Sequence, residues 1–222
     1  MKLLALETAT EACSAAVWVD GAVLERYELA PRRHAALILP MSEAVLAEAG
    51  LQVAQLDAIA FGRGPGAFTG VRIAVSIVQG IAFAADLPVV PVSTLAALAL
   101  GAARITGHRR IAAALDARMG EVYWGCYAAS DADAEPLSEE WLGAPAAVAA
   151  PPGEWFGAGS GWLAYGATLS GQLAVGGWLG ECYPRAGDVA RLAADPRRRG
   201  DWVDAERALP VYLRNQVVAK PG

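Results

Sequence analysis

The segment FGRGPGAFTGVRI, residues 61–73, joins the end of an apolar strand to the start of a helix through a glycine-rich turn. Glycine tolerates positive φ and lets another backbone or a ligand come close. Thr69 is placed to cap the helix with its hydroxyl. Such a turn presents free amides at the positive end of a helix dipole, where an anion can bind. The segment therefore allows two interpretations, a phosphate cradle and a purely structural turn.

Neither of the two standard phosphate-binding motifs is present in this turn. A P-loop requires a lysine after its last glycine, and none follows Gly66 or Gly70. The third glycine comes too early for the G-x-G-x-x-G pattern of dinucleotide-binding proteins. The spacing favours a structural turn and leaves phosphate binding as the weaker alternative.

The order of predicted elements indicates an α/β fold in which helices cover a mixed sheet. Asp20-Gly21 predicts a hairpin turn, and Pro40 predicts a kink or break in the first helix. Residues 130–180 show no clear elements, and we divide the chain into lobes at 1–104 and 105–222. Strands are predicted at 3–7, 14–19, 22–29, 57–61, 88–90, 110–115 and 122–127, helices at 33–49, 69–85, 93–104 and 188–194, and an extended segment at 210–214.

Composition excludes several classes of function. The net charge of −5 over 222 residues argues against independent binding to nucleic acid, and the basic run at 197–199 is interpreted as a solvated turn. The three cysteines form no CxxC pair, and the two histidines lack partners at metal-ligand spacing. Residues 1–7 are too short an apolar run for a signal peptide, and no unbroken apolar run is long enough to span a membrane. These observations predict a cytoplasmic protein without disulfides or a bound metal.

Apolar side chains occupy nearly every angular position of the helices at 33–49 and 69–85. A helix that is apolar all round is usually buried on more than one side. This pattern predicts either a helix enclosed within its own domain or an interface with another protein. For an interface, the predicted apolar contacts are Leu37, Met41, Val71, Val75 and Val78.

Polar residues follow the ends of two predicted strands. Glu7 and Thr10 come at the end of the first strand, and Asp116 at the end of the strand at 110–115. Together with Gly64 they are the candidate lining of a nucleotide cleft. The alternative for Glu7 and Thr10 is a polar strand end with local bonds to the backbone. The alternative for Asp116 is a turn or salt bridge with Arg118.

Four motifs together resemble the Gcp/Kae1-like family, and within it the bacterial non-catalytic members required for tRNA threonylcarbamoyladenosine synthesis. They are LALETAT at 4–10, GRGPGAFTGVR at 62–72, ALDARMGEVY at 114–123 and PVYLR at 210–214. The resemblance implies an actin-like ATPase (ribonuclease H-like) fold of two related lobes, the second shortened. It also implies a direct partner, the catalytic paralogue TsaD, and a further partner, the ATPase TsaE. TsaC makes the threonylcarbamoyl-adenylate donor, and TsaD transfers the group to the adenosine beside the anticodon in tRNAs reading codons that begin with A.

Departures from the family pattern narrow the expected role. The H-x-x-x-H metal motif of the catalytic paralogue corresponds to His34 and Ile38, Glu7 replaces the usual aspartate, and the glycines at 157–161 only weakly match the adenosine-binding signature. We therefore expect a non-catalytic scaffold of TsaD that needs no cofactor of its own, with ATP or ADP at the junction of the two proteins. We expect a homodimer when TsaD is absent and tRNA contact only through the complex. The alternatives are an ATP-dependent phosphotransferase or ATPase of the actin-like superfamily and, less favoured, a metallopeptidase.

Overall fold

Eleven strands and five α-helices make up the part of the chain that the computed structural model describes, residues 1–195 and 200–214. The strands are β1 (Lys2–Glu7), β2 (Ala12–Val19), β3 (Ala22–Leu29), β4 (Ala58–Gly62), β5 (Val89–Val92), β6 (Arg110–Asp116), β7 (Val122–Ala129), β8 (Ala134–Pro136), β9 (Trp141–Gly143), β10 (Trp155–Ala158) and β11 (Val175–Leu179). The helices are α1 (His34–Glu48), α2 (Phe68–Ala85), α3 (Thr94–Thr106), α4 (Ser160–Ser170) and α5 (Ala186–Ala193).

Two sheets repeat the same strand order. The first runs β3-β2-β1-β4-β5, and the second runs β8-β7-β6-β10-β11 with β9 paired to β7. In the first sheet β1 pairs antiparallel with β2, and β4 and β5 run parallel to β1. In the second sheet β6 likewise pairs antiparallel with β7, and β10 runs parallel to β6. The α/β fold with two related lobes is thereby confirmed.

The second lobe lacks a counterpart of the first helix of the first lobe. In the first lobe the 15-residue helix α1 connects β3 to β4. At the equivalent place, between β8 and β10, the chain has only β9 and one short 3-10 turn. Helix α4 and the segment around Val148 cover the outer face of the second sheet, with Trp124, Trp155 and Trp162 filling the core beneath them.

The two lobes exchange their last helices. Helix α3 follows the first sheet in sequence but packs on the second, against Ile111 and Tyr127. Helix α5 follows the second sheet but packs on the first, against Leu3 and Ala5. Helices α1 and α2 cover the other face of the first sheet, against Leu4 and its neighbours. Because the central core is shared, the sequence boundary at 104/105 does not separate two independent cores.

The structure corrects two details of the helix predictions, the break allowed at Pro40 and the cap at Thr69. Helix α1 runs through Pro40 without a break, because Ile38, Val45 and Leu46 anchor both halves of it on the sheet. Helix α2 begins at Phe68 without a side-chain cap, so Thr69 is not the cap. Helix α3, in contrast, has a side-chain cap, since the Ser93 hydroxyl accepts a bond from the amide of Ala96 at 3.2 Å.

The region at 130–180 contains β8 to β11 and α4, which the sequence pattern did not reveal. These strands have three to five residues, and α4 contains Gly161 and Gly166, which have low intrinsic helix propensity. The order here comes from tertiary contacts, such as the indole N–H of Trp162, which donates to the Ala112 carbonyl at 2.7 Å. The basic run at 197–199 lies outside the described residues.

Candidate functional site: the cleft between the lobes

A cleft of about 1090 Å³ opens between the lobes at the carboxyl ends of β1 and β6. The first turns of α1 and α2 also reach it, through His34 and Phe68. Ligands of α/β proteins commonly bind at this end of the strands. Of the four residues predicted for a nucleotide cleft, Thr10 and Asp116 line it, whereas Glu7 and Gly64 do not.

The glycine-rich turn wraps tightly around the end of β1. The Thr8 hydroxyl donates to the carbonyl of Gly70 at 2.7 Å, and the amide of Ala67 donates to the carbonyl of Ala9 at 2.7 Å. A Cβ at Gly70 would overlap the carbonyl oxygen of Thr8, and one at Gly66 would overlap that of Ala9. The glycines are therefore required for close approach of two chain segments, as the structural interpretation of the turn predicts.

Glu7 is enclosed rather than presented to the cleft. Its side chain is fully buried and fills the space in front of Gly62, where no Cβ would fit. One carboxyl oxygen accepts a bond from the Ala9 amide at 2.7 Å, and the other accepts one from the Thr94 hydroxyl at 3.2 Å. Burial raises the pKa of Glu7 from 4.5 to about 7, against the lowering effect of these hydrogen bonds. The predicted nucleotide-binding role of Glu7 is therefore not supported.

Gly64 also serves packing. It has a φ of +96° and lies where a Cβ would come within 2.9 Å of the Val211 carbonyl oxygen. Its amide donates to the Thr94 hydroxyl at 3.2 Å, which joins it to the hydrogen-bonded group around Glu7. Gly64 thus supports the turn from the core side and does not contact the cleft.

Substitution of Glu7 by glutamine is expected to remove a pH dependence of stability. Because the pKa of Glu7 is raised on folding, its protonated form stabilises the protein fully below pH 4.5, and this contribution is lost as pH rises through about 7. The difference amounts to about 3 kcal/mol between pH 4.5 and pH 8. We expect urea unfolding to show that the free energy of unfolding of wild type, relative to that of Glu7→Gln, falls by this amount when the pH is raised from 4.5 to 8. Parallel pH profiles for the two proteins would contradict the burial of an ionisable carboxyl here.

Asp116 is held by the hairpin turn between β6 and β7. Its carboxylate accepts bonds from the backbone amide of Arg118 at 2.9 Å and from the guanidinium of the same residue at 3.0 Å. The guanidinium also pairs with Glu11 of the first lobe at 3.0 Å. Arg118 therefore bridges the cleft and occupies both acidic groups, which agrees with the turn and salt-bridge interpretation of Asp116.

The segment at 210–214 forms one wall of the cleft and joins the lobes. Its Val211 amide donates to the Arg63 carbonyl at 2.8 Å, and its Tyr212 ring lies 5.8 Å from that of Phe68. The guanidinium of Arg72 lies 3.1 Å from the centroid of the Phe68 ring and 4.7 Å from that of Tyr212. Arg214 donates to the Ala117 carbonyl at 3.1 Å on the second lobe. Periodicity gave no sign of this role, and only the resemblance of 210–214 to a family motif pointed to it.

His34 lies in the cleft wall, but its ring has a structural partner. The Nε2 atom donates to the carbonyl of Ala12 at 3.2 Å, which ties the start of α1 to β2. Position 38, one turn later, is a fully buried isoleucine. Within 1–195 and 200–214, no three His, Cys, Asp or Glu side chains come together as a metal-binding group.

The predicted interface contacts on α2 are in the wrong place. Val71, Val75 and Val78 are buried in the core of the first lobe, because this side of the helix packs on the sheet. Leu37 and Met41 of α1 are half-buried against the same core. The sequence showed apolar residues all round the helix and gave no sign of which side would face inward. Instead, the large exposed apolar side chains on these helices are Leu39, Phe68 and Phe83, of which Phe68 lines the cleft.

Comparison with known proteins agrees with this architecture. The sequence profile described as "TsaD: tRNA N6-adenosine threonylcarbamoyltransferase" matches residues 26–156. A solved structure described as YeaZ from Pseudomonas aeruginosa is 49% identical, with a TM-score of 0.90 over 96% of this chain and 99% of that chain. The tRNA threonylcarbamoyladenosine biosynthesis protein TsaB of Escherichia coli K12 is 42% identical over 99% of this chain and 97% of its own. The chain belongs to the TsaB family.

Membership of the TsaB family accounts for the repeated sheet order and the shortened second lobe. The Haemophilus influenzae protein of the same name is 39% identical over 99% of this chain and 96% of its own. Because such relatives cover the chain from one end to the other, the family assignment includes the cleft, the glycine-rich turn and the wall at 210–214. The fold is the actin-like, ribonuclease H-like fold that the resemblance implied.

Proposed function

We propose that this chain acts in tRNA threonylcarbamoyladenosine biosynthesis as a non-catalytic partner of TsaD. The observation that carries the proposal is the outer side of α2. This helix has 18 residues and an apolar composition, yet only 33% of its residues are buried. Among the described residues it is the one helix that is long and apolar enough to span a membrane, as some core helices of soluble proteins also are. An apolar helix left half uncovered is typical of a protein-protein interface.

The proposed contact surface, here named the outer helical face, combines the exposed sides of α1 and α2. Leu39 is 44% exposed and Phe83 is 76% exposed. Most of the other exposed residues on the two helices are small, which lets another helix approach closely, and Glu43 lies among them one turn after Leu39. The outer helical face consists of Ala35, Ala36, Leu39, Pro40 and Ala44 of α1 and Ser76, Gly80, Phe83 and Ala84 of α2.

The choice of TsaD as the occupant follows from the family profile. The TsaD profile matches residues 26–156, a range that includes α1 and α2 entirely. We infer that TsaD carries an equivalent pair of helices, so that the two proteins would join as a four-helix interface. When TsaD is absent, the same face would pair with a second copy of this chain in a symmetric homodimer.

The cleft supports a non-catalytic role for this chain. Glu7 is enclosed in the core, and the carboxylates of Asp116 and Glu11 are both bound by Arg118. Asp116 and Glu11 line the cleft, whereas Glu7 does not. Because α1 and α2 both begin at the cleft, ATP or ADP bound at the junction with TsaD would lie beside the outer helical face. TsaE and tRNA would join through the assembled complex, in the cytoplasm.

Calorimetry with magnesium and ATP separates this proposal from an ATPase. We expect no binding heat and no turnover for the isolated chain, and binding when TsaD is added. Micromolar binding with ATP turnover by the isolated chain would overturn the proposal in favour of an actin-like ATPase. Elemental analysis of the same preparation tests the metallopeptidase alternative, which requires stoichiometric zinc or iron.

A further inference from the structure

The open edge of the second sheet has no counterpart on the first sheet. Strands β5 and β11 occupy the same position, at the end of the order that both sheets share. On β5, Val89 and Val203 exchange two backbone bonds of 2.8 and 2.9 Å, so an extended segment of the chain covers that edge. One side of β11 pairs with β10, and no strand among the described residues pairs with its other side. Within residues 1–195 and 200–214, therefore, one of two equivalent edges is covered and the other is not.

The segment that covers β5 shows which side chains can pack beside such a sheet edge. Trp202 packs against the core that the two sheets share, and Val203 packs against the core beneath α1 and α2. Backbone pairing therefore brings bulky side chains onto both faces of the sheet edge. This arrangement is the β-strand addition by which extended peptides bind exposed edges.

Exposed apolar side chains accompany the open edge. Trp178 of β11 is 46% exposed, and its ring lies 5.8 Å from that of Trp162. Leu163 of α4 is 60% exposed and lies against Gly180, directly after β11. An edge strand with adjacent apolar side chains attracts another chain, and native proteins usually cover or charge such edges.

Charge at the two ends of β11 indicates what kind of chain would bind. Glu154 lies beside Gly176 at the start of the strand, and Glu181 follows its end. Both residues are exposed, and neither forms an ion pair with the described residues. Antiparallel pairing of β11 with a second copy would bring these acidic ends together, and like charges across strands are destabilising. A basic segment from another protein would be attracted instead.

We propose that the edge of β11 binds an extended basic peptide segment of another protein, one that places a bulky apolar residue over Trp178 and Leu163. The segment would pair with β11 as residues around Val203 pair with β5. This surface lies on the second sheet, whereas the outer helical face lies on the first. An experiment that contradicts one of these two proposals therefore leaves the other unaffected.

A fluorescein-labelled peptide with the sequence of residues 197–203, RRRGDWV, is a direct probe because it combines basic residues with the side chains that cover β5. We expect saturable binding to the full chain by fluorescence anisotropy and slower hydrogen exchange of the amides at 175–179. Leu163→Gln should weaken binding at least fivefold, whereas Leu209→Gln, at a leucine that is also 60% exposed, should not change it. A peptide with proline in place of its valine lacks the paired amide and should bind at least fivefold more weakly.

Three results would overturn this inference. One is the absence of saturable binding, and another is equal binding of the proline-containing peptide, which would indicate simple charge attraction. The third is self-association of the chain by sedimentation velocity that Trp178→Gln abolishes, since a second copy would then be the occupant. Hydrogen exchange at 175–179 remains interpretable even if one substitution destabilises α4, because it is measured on the wild-type chain.

Discussion

Alanine in place of Gly70 is expected to lower the free energy of unfolding by about 3 kcal/mol. The added Cβ would overlap the carbonyl oxygen of Thr8, which belongs to the backbone and has little room to move. The bond from the Thr8 hydroxyl to the Gly70 carbonyl, 2.7 Å long, would be disturbed by the same displacement. Urea unfolding followed by circular dichroism measures the loss, which should appear as a lower midpoint at an unchanged slope.

Gly80 provides a matched control on the same helix. A Cβ there meets no atom within 4 Å, so only the helix propensity changes. Gly80→Ala is expected to leave stability unchanged or to raise it by up to about 1 kcal/mol. Equal stabilities of the Gly70→Ala and Gly80→Ala proteins would show that the turn tolerates a side chain. The tight wrapping around β1 would then not be the reason for these glycines.

Glutamate at both Leu39 and Phe83 is expected to abolish detectable binding to TsaD without unfolding the chain. Both side chains are exposed, so the substitutions remove little packing within the monomer. In a complex they would place two charges in an apolar contact, which should weaken binding at least 30-fold, about 2 kcal/mol or more. Co-purification and surface plasmon resonance with TsaD measure the loss, and thermal unfolding checks that the variant is folded.

Two comparison variants make this result specific. Ile105→Glu changes an equally accessible side chain, 65% exposed at the end of α3 and outside the outer helical face, and should bind TsaD normally. Val75→Glu would bury a charge in the core of the first lobe and is expected to unfold the protein rather than to act at the interface alone. Wild-type affinity of the Leu39→Glu, Phe83→Glu double variant would rule out the outer helical face as the contact surface.

Much of the first lobe could be predicted from local sequence. Alternating and apolar runs located β1 to β5, and the Asp20-Gly21 turn fixed the first hairpin. The sequence also places Thr10 and Asp116 at the ends of β1 and β6. These strands belong to different sheets, so the meeting of their ends at one cleft depends on how the lobes pack together. The orientation of Glu7 does not follow, because it depends on Gly62 and Thr94, which are 55 and 87 residues away.

The second lobe and the inward side of α2 required the structure. Tryptophans distant in sequence hold the last two short strands. Trp155 of β10 joins the core around Trp124 and Trp162, and the ring of Trp178 of β11 lies 5.8 Å from that of Trp162. Apolar residues surround α2, so periodicity alone cannot tell the side that packs on the sheet from the side that remains exposed. The exchange of α3 and α5 between the lobes has no local signature either, because it depends on how the two sheets meet.

Reconstitution of threonylcarbamoyl transfer to tRNA with TsaC, TsaD and TsaE tests the central claim most directly. We expect no modified adenosine without this chain, full transfer with the wild-type chain, and none with the Leu39→Glu, Phe83→Glu double variant. Glu7→Gln should support transfer at the wild-type rate, because the carboxyl is enclosed in the core and does not line the cleft. Equal transfer rates with and without the chain would contradict the partner role, and loss of transfer with a folded Glu7→Gln protein would contradict its non-catalytic character.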